Sequence, residues 1–137
     1  MLSMNQAKSI LKFVKTKEDL TGLKIAIGNS YGYYPEYKGI TISNKEISSI
    51  DFMINYLKDT FDLILTETQI DLFCLLHEVG HFINGWICTP EEYNLRISEA
   101  EDLYEYRHIP DEYEADKFAA NFIKKYYNRN GTPTAFG

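Results

Sequence analysis

Apolar side chains recur along this chain with two different periods, and the change of period divides it. Ile10, Leu11, Phe13 and Val14 are spaced as on one face of a helix, which predicts an N-terminal amphipathic helix over about residues 4–16. Leu23 to Ile27 alternates apolar with polar or small residues between Gly22 and Gly28, the mark of a strand. Tyr31 to Tyr37 holds four tyrosines, a glycine and a proline, and fits a second short strand or an ordered turn. Gly39 to Ser43 reads as a further strand, stopped by Asn44. From Ser48 or Ser49 onward the period becomes helical, with Ile50, Met53, Ile54 and Leu57 on one face and a turn within Asp59–Leu63. Thr66 and Gln69 have the spacing of a capping box. The helix they open carries Ile70, Phe73, Cys74, Leu76, His77, Gly80 and His81, and should end at Asn84-Gly85 with Gly85 left-handed. Pro90 to Tyr106 is ambiguous, although Thr89-Pro90 resembles a helix start. Pro110 opens a last helix through Phe118 and Phe122 to Tyr127, and a frayed tail is expected over about 129–137. The order predicts an α+β fold, a small sheet packed on helices, in one domain spanning residues 1–137.

Composition narrows the function. A chain of 137 residues suffices for one core. A net charge of −6 argues against a nucleic-acid binder and leaves a basic or neutral polypeptide as partner. The cluster Lys124, Lys125 and Arg129 reads as a solvated helix face. The opening MLSMNQAKSILKFVK lacks the long apolar stretch of a signal peptide, and no apolar run approaches a membrane span. The expected location is therefore the cytosol. Cys74 and Cys88 are too few for a disulfide framework, and Cys74 reads as a small buried side chain.

The chemistry concentrates in His77-Glu78-Val79-Gly80-His81. On a helix the two histidines stand one turn apart on one face, where both imidazoles can converge on one metal ion, typically zinc. Glu78 beside them can take a proton from a water on that ion. A catalytic zinc site needs a third protein ligand and an open position. The metzincin completion fails, because its Gly and His positions are occupied by Asn84 and Ile87. A better completion lies in Asp111 to Ala119. Glu112 follows His81 by 31 positions (112 − 81), room enough for a second helix to pack across the first. Glu112 and Asp116 share a face at i and i+4, whereas Glu114 is turned about 200° from Glu112. Ala115 and Ala119 permit close helix approach, and Phe118 and Phe122 supply apolar contact. We therefore assign Glu112 as third ligand and Asp116 as acceptor for the free N–H of a liganding histidine.

His77-Glu-Val-Gly-His81 followed by Glu112-x-x-Ala115-Asp116-x-Phe118-Ala119 resembles the paired motifs of the ImmA/IrrE metallopeptidases, and the E-x-x-x-D half is similar to that of other gluzincins. Ile40-Thr41-Ile42, with Tyr34-Pro35-Glu36-Tyr37 before it, matches the layout ahead of that family's metal helix. The resemblance spans about residues 25–125 and is specific only in the two motifs. It implies a zincin-like domain with His77, His81 and Glu112 as zinc ligands and Glu78 as base. It also implies a bacterial protein, often carried on a phage or mobile element, that cuts a helix-turn-helix repressor. The family often follows F-A with two leucines, Met and Pro. Here the run is Asn121-Phe122-Ile123-Lys124-Lys125, and the further domain that some members carry is not expected.

The expected reaction is zinc-assisted hydrolysis of a peptide bond in a cytosolic protein, with no direct contact to nucleic acid or membrane. Donors for the oxyanion are sought among His108, Tyr104, Tyr106 and the Tyr31–Tyr37 cluster. Gly39–Ser43 is the candidate edge strand for holding a peptide by β-addition. Cys88 and His108 are weaker candidates for a metal ligand than Glu112. Trp86 reads as a core anchor. Two rivals stand beside the peptidase: a metal-stabilised, antirepressor-like binding module, and a hydrolase of a non-peptide bond. The blander reading makes His77 and His81 satisfied core residues, and Asp111 to Asp116 an acidic first helical turn.

Overall fold

The computed structural model describes residues 1–129, 132 and 133. Helix α1, Met4–Lys15, starts at Ser3. The Ser3 hydroxyl accepts from the Gln6 N–H at 3.1 Å, and Gln6 Oε1 accepts from the Ser3 N–H at 2.8 Å, a capping box that satisfies two otherwise orphaned donors. The helix buries Ala7 and Val14. Its Phe13 meets Phe122, Tyr126 and Tyr127 edge-on, which ties the N-terminus to the last helix.

Three strands follow: β1 (Lys24–Gly28), β2 (Gly32–Tyr34) and β3 (Gly39–Ser43). The segment Tyr31–Tyr37 supplies both a strand and a turn, since Pro35–Tyr37 forms a 3-10 turn ending at Lys38 with φ 50°. The chain reverses before β2 and again after it. Strand β3 therefore returns parallel to β1 and pairs between the other two, with Ile25 opposite Ile40 and Tyr33 opposite Ile40 on the other side. This corrects the expectation that Gly39–Ser43 is an edge. Central placement buries Ile40 and Ile42 and leaves β2 as an outer strand.

Helix α2, Ile50–Phe61, buries Met53, Tyr56, Leu57 and Phe61 and stops at Asp62, whose φ of 53° turns the chain. Gln69 Oε1 accepts from the Thr66 N–H at 3.0 Å, and a 3-10 turn, Glu67–Gln69, leads into α3, Ile70–Asn84. Helix α3 is buried almost all round. It packs on α2, β2 and β3, and most extensively on the last helix. Gly85 ends it with φ 66° and ψ −162°. The positive φ is the one expected, but the ψ is extended, so the chain leaves the helix axis instead of curling back.

The ambiguous stretch resolves into α4 (Pro90–Glu99) and α5 (Leu103–Arg107), capped by Thr89 and Asp102. Neither helix buries a residue. Helix α6, Pro110–Tyr126, buries Asp111, Glu112, Ala115, Asp116, Ala119, Ala120, Phe122 and Ile123. The fold is α+β, as the pattern predicts. Of the tail expected to fray, residues 130, 131 and 134–137 lie outside the described residues, while Pro133 bridges Tyr127. Among the described residues, no helix is long and apolar enough to cross a membrane.

Candidate metal centre

One face of α3 presents Phe73, Cys74, His77, Glu78 and His81 to a cavity of about 500 Å³. His77 and Glu78 are buried and His81 partly so. Ligand atoms of His77, Glu78 and His81 all lie within 4.8 Å of one another, a group that could hold a metal ion. The two imidazole rings stand at 89° with centroids 4.7 Å apart.

Helix α6 closes this group from across the helix pair. Glu112 Oε1 is 3.1 Å from His77 Nε2 and accepts from the Tyr106 hydroxyl at 3.1 Å. Glu112 Oε2 is 3.0 Å from His81 Nε2 and accepts from the Tyr93 hydroxyl at 2.8 Å. One turn later Asp116, fully buried, sets Oδ1 at 2.7 Å from His77 Nδ1 and at 2.8 Å from Arg107 Nη1. Its Oδ2 accepts from the Tyr56 hydroxyl at 3.1 Å. Glu114 is not among the residues lining the cavity. The structure thus brings His77, Glu78, His81 and Glu112 to one cavity wall, with Asp116 behind His77.

The charges are mutually dependent. Burial works against a charged His77, but Glu78, Asp116 and Glu112 outweigh it and hold its pKa up to about 10. Burial would raise the Glu112 carboxyl, yet the bonds from His77 and His81 prevail and hold it well below the usual range. Glu78 moves the other way: burial raises it, and the two histidines offset only part of that. Burial and the nearby Glu112 push the Tyr93 and Tyr106 hydroxyls up, so both remain donors.

Several placements depart from expectation. Trp86 is not a core anchor. It is 52% exposed, lines the cavity and meets Tyr93 edge-on at 5.5 Å, because Gly85 carries the chain off α3 before the indole could reach the core. Cys74 is half-buried and lines the cavity, with burial pushing its thiol up to about 12. His108 and Tyr104 are exposed and pair with each other, His108 Nδ1 lying 2.7 Å from the Tyr104 carbonyl; neither lines the cavity. Of the Tyr31–Tyr37 cluster, Tyr31, Tyr33 and Pro35 line it, and Tyr33 lies parallel to His81 at 6.4 Å. Asp111 is more than an acid in a first turn. It accepts from the Ile87 N–H at 2.9 Å and the Cys88 N–H at 3.1 Å, pinning the segment between α3 and α4. Tyr93 and Arg107 escaped the sequence reading. They sit on helices without a buried face, so periodicity carries no signal for them. No family model matches the chain, and no curated protein or solved structure matches it either.

Proposed function

We propose that this chain is a zinc-dependent endopeptidase that hydrolyses a peptide bond in a protein substrate. The observation carrying the proposal is the Glu112 carboxylate, with one oxygen on each imidazole Nε2 at 3.0–3.1 Å beside the buried Glu78. Ligand atoms at about 2.0–2.1 Å from a tetrahedral zinc stand about 3.3 Å from one another, so each imidazole nitrogen lies near that separation from the carboxylate oxygen it meets. Imidazole and carboxylate are also the donor types zinc accepts. His77, His81 and Glu112 would hold the ion, which when bound supplies an acidified water and polarises the scissile carbonyl.

The remaining steps belong to the protein. Asp116 accepts the His77 Nδ1–H, the tautomer in which Nε2 would be the nitrogen to hold a metal. Glu78, its proton affinity raised by burial, takes the proton of the attacking water and passes it to the leaving amine. A purely structural site has no use for a buried carboxylate there. Tyr93 and Tyr106 donate their hydroxyls to Glu112 next to the same point, and either would serve the developing oxyanion by turning its one O–H from Glu112 to it. Outer strand β2, which contributes Gly32 and Tyr33 to the cavity wall, is the edge that would hold an extended peptide by β-addition. On this reading residues 1–137 form a small zincin-like domain of ImmA/IrrE character, acting in the cytosol. A helix-turn-helix repressor of a phage or mobile element is then the substrate to try first.

Purified protein should carry about one zinc per chain. Glu78→Gln should retain that zinc and lose cleavage of the substrate. A Gln variant that cuts as fast as the parent would overturn the assignment.

A further inference from the structure

We propose that Arg107 is the substrate anchor of the cavity: its guanidinium binds an oxygen of the bound chain, either a peptide carbonyl or a terminal carboxylate. This rests on the peptidase reading, since it supposes a peptide in the cavity. Helix α5 is five residues long and buries none of them, yet both Tyr106 and Arg107 line the cavity. Arg107 is the one Lys or Arg among the described residues lining it, alongside the carboxylates Glu78, Asp111 and Glu112. Two of those carboxylates have other work: Asp111 holds two backbone N–H groups, and Glu112 meets four donors.

Asp116 does not need Arg107 to be satisfied. His77 already serves one of its oxygens and Tyr56 the other. The 2.8 Å contact from Nη1 therefore fixes the orientation of a guanidinium that has five N–H donors, and the cavity is where the others can be used. An oxygen acceptor entering a cavity lined by carboxylates finds one permanent cation there.

Trp86 is the chain's single tryptophan and lines the same cavity, so its fluorescence reports binding without turnover. The probes are Ac-Ala-Leu-Ala as the free acid and as the C-terminal amide. They are titrated into the full chain after chelation, a form that requires neither metal nor cleavage. Arg107→Gln should weaken binding about 10- to 100-fold, the usual consequence of losing a charge-assisted bond. A loss confined to the acid identifies a terminal carboxylate, and an equal loss for both peptides identifies a carbonyl. The proposal is overturned if both peptides bind Arg107→Gln as tightly as the parent, or if neither perturbs Trp86 in the parent. Where Arg107→Gln loses its native circular dichroism, Arg107→Lys takes its place. It keeps the charge but not the planar fork, and parental affinity for both peptides then overturns the proposal. Glu78→Gln cleaving normally would sink the peptidase reading without touching this result.

Discussion

A Cβ atom built on Gly80 would stand 3.0 Å from both the Cα and the carbonyl oxygen of Ala115. Helices α3 and α6 cross at this point with almost no side chain between them. That closeness lets Glu112, one turn before Ala115, and Asp116, next to it, reach the two ring nitrogens of one imidazole. Gly80 lies between Glu78 and His81 in sequence, so the residue that permits the crossing is embedded in the metal motif itself.

Gly80→Ala tests the crossing. Alanine favours a helix over glycine by about 1 kcal/mol, so an unopposed substitution would stabilise α3. Here the new methyl meets backbone, and forced overpacking costs about 1–3 kcal/mol. We expect a lower melting temperature together with weaker zinc binding. A variant that melts at or above the parent would mean that the helices part freely.

Glu112→Ala and Glu114→Ala separate a ligand from its neighbour. Removing Glu112 takes away the carboxylate shared by His77 and His81 and should cost most of the zinc measured by atomic absorption after dialysis. Removing Glu114, which does not line the cavity, should leave the metal content unchanged. The reverse pattern would reassign the third ligand.

Asp116→Asn keeps an oxygen near His77 Nδ1 but removes the charge that Arg107 and Tyr56 also use. Loss of such an outer partner commonly weakens metal binding by about 10- to 100-fold. Competition with a chromophoric chelator reads this directly. Zinc affinity equal to the parent's would show that Asp116 does not set the histidine's orientation.

Asp111→Ala strips the acceptor from the Ile87 and Cys88 N–H groups, and the buried Cys88 donor left without a partner costs about 1–3 kcal/mol. The segment carrying Trp86 should loosen. Acrylamide should quench the indole more strongly, and thermal stability should fall. Unchanged quenching would mean that α4 holds this segment without Asp111.

Much of the site was legible because it is built from helical spacing. His77 with His81, and Glu112 with Asp116, are each one turn apart, a relation that any α-helix enforces whatever surrounds it. The exclusion of Glu114 follows from the same geometry and agrees with its place off the cavity wall. Ala115 and Ala119 signalled where a second helix could come close, and the structure sets Gly80 against Ala115. The capping box at Ser3 and Gln6 was equally local, though it went unread.

The chain's own pattern therefore determined its α+β character, most of its helices and strands, and which side chains share a face, because these depend on neighbours within a few residues. Tertiary structure alone decided that β3 lies at the centre of the sheet, that Trp86 and Cys74 line the cavity, and that Tyr93 and Arg107 join the site. Those outcomes turn on the directions taken at Lys38 and Gly85 and on two helices that bury nothing. A single backbone angle redirects everything after it, and a helix without a buried face leaves no periodic trace of where it will rest.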